Sequence, residues 1–126
     1  MFVSWCANEA GIRTSIIPHY ALVADFMSWY QNAGRFGLKG SYTPTCGDLI
    51  IFKSDGASHI GIVTYCDGTT VYTIEGNTSN GCHQRKYALT YSKITGYGRP
   101  NYPTYYGKKY VFYPAGVTPG AGQDTY

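Results

Sequence analysis

The chain is poor in charge, in histidine and in long apolar runs. Charged residues fill 13% of the 126 positions, and Lys plus Arg exceed Asp plus Glu by 10 − 7 = 3. That excess is too small to argue for nucleic-acid binding, so no such partner is expected. No stretch approaches the ~18–20 apolar residues of a transmembrane helix, so no membrane insertion is expected. The opening Met1-Phe2-Val3-Ser4-Trp5-Cys6 lacks the basic region that starts a signal peptide. Three histidines (His19, His59, His83) and four cysteines (Cys6, Cys46, Cys66, Cys82), none in CxxC spacing, make neither a zinc ribbon nor a thioredoxin motif. No metal and no cofactor is expected. The cysteines do not set the redox compartment, and one or two disulfides stay open if the protein is exported.

What the chain does hold is apolar and aromatic. Hydrophobic residues reach 44%, enough for one globular domain with a core of its own. Its 14 tyrosines and 16 glycines point to a compact, β-containing domain with an aromatic surface, as in many carbohydrate-facing proteins.

The apolar periodicity changes along the chain. Phe2, Val3, Trp5, Cys6 and Ala10 ahead of Gly11 fit a short buried helix with Trp5 in the core. After Pro18, the spacing of Leu22, Phe26 and Tyr30 predicts a second helix over about 19–33. Residues 34–47 read as loop. Asp48 to Lys53 is a near-continuous apolar run, as in a buried strand. His59 to Tyr65 is a second strand, Asp67-Gly68 a hairpin turn and Val71 to Glu75 a third strand. Residues 76–81 read as loop, and 84–90 and 96–99 as the last strands. Helices first and an antiparallel meander after them make an α+β fold, expected over residues 1–100. Residues 101–126 hold six tyrosines, three prolines and four glycines without a period, and read as a tail or linker.

His59 is the residue that can carry chemistry. It stands at the mouth of an apolar strand, where loops meet. A hairpin pivoting at Asp67-Gly68 brings the start of its strand beside the end of the next, so His59 and Glu75 are neighbours and Asn77 follows just beyond. An imidazole flanked by a carboxylate and a carboxamide is what an activated nucleophile requires of its base. The same pattern also describes a solvated strand-end histidine near a surface acid. Cys6 lies well inside its helix on the apolar face and reads as core. Asp48 reads as a turn cap. Ser54-Asp55-Gly56 offers one carboxylate and no calcium-loop pattern, so no calcium site is expected. Tyr65, Tyr72 and the tail tyrosines can pack or stack on sugar rings, and sequence leaves both open.

Five ordered blocks carry a resemblance. Phe2-Val3-Ser4-Trp5-Cys6-Ala7-Asn8-Glu9-Ala10-Gly11-Ile12, Gly47-Asp48-Leu49-Ile50-Ile51-Phe52, Ser58-His59-Ile60-Gly61-Ile62-Val63, Ile74-Glu75-Gly76-Asn77 and Tyr97-Gly98-Arg99-Pro100 resemble a CHAP domain, the cysteine, histidine-dependent amidohydrolase/peptidase. The resemblance implies a papain-like α+β fold. It implies peptidoglycan as partner, acting as a monomer at the cell wall or outside the cell, with a phage lysin among the sources. It also implies amidase or endopeptidase chemistry, with His59 as general base and Glu75 and Asn77 as orienting residues.

One feature departs from the resemblance. The family's nucleophile stands in a Trp-Cys-Ala-x segment directly before the Phe-Val-Ser-Trp-Cys block, which by this alignment falls two residues upstream of Met1. Cys6 is seven residues farther on, about 10 Å along a helix, whereas a thiol must come within roughly 3 Å of its base. The expectation is a hydrolase framework without its nucleophile, inactive as it stands, belonging to a chain that starts upstream. The alternative is a non-catalytic wall-binding or structural module.

Overall fold

The computed structural model describes residues 2–54, 57–78 and 81–103, so residues 104–126 of the tail lie outside the described residues. Helix α1 spans Phe2–Glu9 and α2 spans Val23–Asn32. The strands are β1 (Phe36–Leu38), β2 (Leu49–Ser54), β3 (Ala57–Cys66), β4 (Thr70–Thr78), β5 (Gly81–Ala88) and β6 (Ile94–Gly98). They form one sheet in the order β1-β6-β2-β3-β4-β5. Every neighbouring pair is antiparallel. Two helices with an antiparallel sheet make the fold α+β.

The helices are too short to be stable alone and depend on burial. In α1, Val3 and Ala7 lie one turn apart and are buried. Trp5 is 62% exposed, which corrects its expected place in the core. At 100° per residue it sits about 160° around the helix from both buried positions. In α2, Phe26 and Tyr30 repeat the four-residue spacing and are fully buried. The expected start near residue 19 is four residues early, because Leu22 is extended (φ −106°, ψ 135°) and marks the helix boundary. Ala33 and Gly34 close the far end with N–H bonds to Trp29 and Gln31 carbonyls.

Strand β2 runs through the centre of the sheet and is buried on both faces, which explains its unbroken apolar sequence. On one face Leu49, Ile51 and Ile60 pack with Val3, Ala7, Ile16, Ile17, Phe26 and Tyr30, so both helices cover this side. On the other, Ile50, Phe52, Val63, Val71, Ile94 and Tyr97 form a second cluster, backed by Tyr42, Tyr87 and Leu89. Each fully buried large side chain contributes on the order of 1.5–3 kcal/mol. Tyr72 is also buried and stacks on Tyr65 with ring centroids 5.6 Å apart, so this pair packs within the domain.

Two expected loops contain strand. Residues 34–47 include β1, which pairs with the distant β6 through Phe36↔Gly98 and Leu38↔Gly96. Residues 76–78 continue β4, and Gly81 opens β5, so Asn77 stands on a strand rather than in a loop. At the start of the tail, Tyr102 packs against the helix-side cluster and donates its hydroxyl to the Gly47 carbonyl at 2.6 Å. Asp48, 5% exposed, accepts from the Thr45 N–H (2.9 Å) and the Tyr42 hydroxyl (2.6 Å), which is a turn-capping role.

Candidate active site

The hairpin between β3 and β4 turns at Asp67, whose carboxylate accepts the backbone N–H groups of Thr69 and Thr70 at 2.9 and 2.7 Å. From that pivot the strands run back side by side and bring His59 to Glu75. The His59 Nε2 lies 2.8 Å from Glu75 Oε1. His59 alternates with Ile60, which belongs to the helix-side cluster, so its ring lies on the opposite face of the sheet. There it stacks on Phe52, its cross-strand partner, at 5.9 Å and 27°. The His59 side chain is 33% exposed, so the ring is held from beneath and open above.

Glu75 is only 1% exposed, and a buried carboxylate is costly unless its oxygens are satisfied. Both are. Besides the His59 contact on Oε1, Oε2 accepts from the Thr73 hydroxyl at 2.6 Å and from the Tyr87 hydroxyl at 2.7 Å. Burial is the largest influence and pushes the Glu75 carboxyl upward. The donors His59, Thr73 and Tyr87, with the charge of His59, outweigh it and hold the group below its ordinary range. Glu75 is therefore ionised at neutral pH. A carboxylate only accepts hydrogen bonds, so the bonded nitrogen of His59 must carry the proton. In the neutral ring this leaves Nδ1 as the lone-pair nitrogen. The tautomer follows from the network, and Nδ1 is the atom that can take a proton from a nucleophile.

Thr73 and Tyr87 escaped the sequence reading. Thr73 carried a signal, since it stands two residues before Glu75 on one strand and therefore on the same face. Tyr87 carried none: its Cα partner is Val71, and it reaches Glu75 only by the length of its side chain. Its ring also packs on Phe52 at 4.8 Å, so one residue braces the carboxylate and the ring under His59. His83 is the cross-strand partner of Glu75, and its Nε2 is buried with no hydrogen-bond partner among the described residues.

Two glycines make room for this arrangement. A Cβ on Gly61 would meet Glu75 Cγ at 2.6 Å, so only glycine lets the Glu75 side chain lie across β3 toward His59. A Cβ on Gly76 would collide with the Phe2 ring. Phe2 thus seats the first turn of α1 on β4, one residue from Glu75. Asn77 lies in β4, and its side chain falls outside the described residues.

None of these contacts includes a cysteine. Cys6 belongs to α1, on the face of the sheet that His59 does not share, and is only partly buried rather than a core residue. Burial raises its thiol above the ordinary range, and the neighbouring Cys82 adds to the rise. None of the four cysteines is joined to another in a disulfide. Among the described residues no group of three His, Cys, Asp or Glu side chains is placed to hold a metal ion.

The family model of the CHAP domain matches residues 1–77, a span that includes His59, Glu75 and Asn77. No curated protein matches the chain.

Proposed function

The chain belongs to the CHAP domain family, whose members act as peptidoglycan hydrolases, and on that premise we propose that it carries the proton-transfer half of a site that cleaves wall amide bonds. The observation that carries this reading is the 2.8 Å contact between His59 Nε2 and the buried, triply bonded Glu75. In the proposed reaction Nδ1 of His59 takes the proton of a cysteine thiol. The thiolate attacks a carbonyl of the peptide stem or cross-bridge, and the imidazolium returns its proton to the leaving amine. Water, deprotonated by His59, then hydrolyses the thioester. Glu75 does not change protonation state; it fixes the tautomer and stabilises the imidazolium. Asn77 is assigned as a further orienting residue by its place in the family's Glu-Gly-Asn pattern.

The attacking sulfur is not supplied by Cys6, which stands more than a turn inside α1, about 10 Å along the helix from the family's cysteine position, and is held as a thiol. The chain as it stands is therefore inactive in this reading. The same placement supports the second reading, a module that holds the wall without cutting it. Both readings put the protein at the cell wall or outside the cell. Among the described residues, no helix is long and apolar enough to cross a membrane.

The test is release of new amino groups from purified cell walls. The chain alone is expected to release none. A version carrying the family's Trp-Cys-Ala segment ahead of Met1 is expected to release them, and to lose that activity with His59→Ala. Undiminished clearing by the His59→Ala form rejects the assignment. If the extended form is inert yet still sediments with walls, the binding-module reading stands instead.

A further inference from the structure

Two cysteines that the proposed reaction does not use stand together beside the site. Cys82 lies on β5, next to His83, the cross-strand partner of Glu75. The pairing resumes at Thr78↔Gly81, so Cys82 is the single residue of β5 opposite Gly76 and Asn77. The extra residue of this bulge is on β4, and β5 keeps its alternation. His83 therefore shares the face of Glu75, and Cys82 takes the other face, the one the helices cover. Gly76 is on that face, under the Phe2 ring. Cys6 comes four residues after Phe2 in α1, on the same side of the helix and one turn, about 5.4 Å, along it. Phe2 and Cys6 thus lie side by side over the β4–β5 pair, and the Cys82 thiol is close enough to push that of Cys6 further upward.

The other two cysteines are out of reach. The Cα atoms of a disulfide are no more than about 7 Å apart. Cys66 is the register partner of Val71, and Val71 that of Tyr87, five residues along β5 from Cys82. Five residues of strand span about 17 Å. Cys46 precedes Gly47, whose N–H donates to the Val63 carbonyl at 2.8 Å on the β2 side of β3. From there to β5 is three strand spacings, about 14 Å. Cys82 is exposed and Cys6 partly buried, so a reagent from solution meets Cys82 first.

We propose that Cys6 and Cys82 are a redox pair whose disulfide clamps α1 to β5. The Cys82 thiol loses its proton, and the thiolate attacks one sulfur of a small-molecule disulfide such as oxidised glutathione, releasing a first thiol. Cys6 then loses its proton and attacks the Cys82 sulfur, releasing a second. One S–S bond breaks and one forms; two cysteine thiols are oxidised, one external disulfide is reduced, and the two protons leave on the released thiols. The bond ties the helix that covers Gly76 to the strand that pairs with Glu75, so it braces the carboxylate's strand from both sides. It also closes a loop over residues 6–82, and long loops gain most from closure. Oxidising surroundings close the clamp and a reducing cytoplasm opens it. The proposal stands on this placement and does not need the wall-directed reading.

The experiment treats the full reduced chain with oxidised glutathione, alkylates the remaining thiols and maps the joined peptides by mass-spectrometric fragmentation, with thermal unfolding alongside. A Cys6–Cys82 bond is expected, with neither Cys46 nor Cys66 in an internal disulfide. The bond is expected to raise the melting temperature by about 10 °C, and a dithiol reductant to reverse the rise. Cys82→Ser changes an exposed side chain, so the variant is expected to fold and to show no such rise. A glutathione adduct that persists on Cys82 while Cys6 stays a thiol overturns the proposal. So does a bond through Cys46 or Cys66, or a Cys6–Cys82 bond that leaves the melting temperature unchanged. The readouts are bond mapping and stability, so failure here leaves the wall-cleavage test standing, and failure of wall cleavage leaves this one standing.

Discussion

Tyr87→Phe removes one oxygen and leaves the packing on Phe52 in place, which makes it a clean probe of the buried carboxylate. The lost bond joins a hydroxyl to an ionised group at 2.7 Å. Hydrogen bonds to charged groups contribute about 1.5–3 kcal/mol, so about 2 kcal/mol of stability is expected to go at pH 7. For a domain of this size that lowers the melting temperature by roughly 6–12 °C. The loss has a pH signature. Glu75 is held below its ordinary value of 4.5 in the folded state, so the network stabilises the fold above that pH. The contribution disappears as pH falls through the lower folded value. Once Glu75 is protonated, the Tyr87 bond is one between neutral groups, worth about 1 kcal/mol. Thermal unfolding of wild type and variant, followed from pH 7 down through the acid range to the lowest pH at which the fold persists, should therefore show a gap that is largest at pH 7 and narrows as Glu75 is protonated. A gap that does not narrow with acid, or none at pH 7, shows that Tyr87 does not support a charged Glu75.

Further consequences follow from the same contacts. Gly61→Ala forces a methyl group to 2.6 Å from Glu75 Cγ and 3.2 Å from the Ile74 carbonyl, so it should cost about 1–3 kcal/mol in chemical denaturation and displace the His59 ring resonances. Trp5→Ser changes a residue that is 62% exposed and should move stability by less than about 0.5 kcal/mol; a loss of several kcal/mol would return Trp5 to the core. Phe2→Ala uncovers Gly76 and loosens the first turn of α1, with an expected cost of about 2 kcal/mol and faster amide exchange at Val3 and Gly76.

The parts of the fold that could be read from sequence were those whose cause is local. Strand β2 shows as an apolar run because both of its faces are covered, and α2 shows because Phe26 and Tyr30 repeat at one turn. The approach of His59 to Glu75 followed from a hairpin whose pivot, Asp67-Gly68, is written in the chain. What was missed has distant causes. Strand β1 is three residues long with glycine at its centre, so it has no period, and its pairing partner lies some sixty residues away. Gly76-Asn77 has the composition of a turn yet continues β4, because the Phe2 ring covers Gly76. Trp5 was placed by residue type, whereas its position on the helix is fixed by Val3 and Ala7. Tyr87 could not be assigned to the site from any spacing, since its hydroxyl crosses to Glu75 from opposite Val71.

The proposed chemistry depends on which ring nitrogen of His59 holds the proton, and long-range proton–nitrogen correlation spectra of the histidine rings, recorded at alkaline pH, read this directly. A protonated Nε2 and a bare Nδ1 are expected in wild type, with a mixture of both tautomers once Glu75→Gln removes the fixed acceptor. A wild-type ring protonated at Nδ1, or one whose tautomer ignores the Glu75→Gln change, contradicts it.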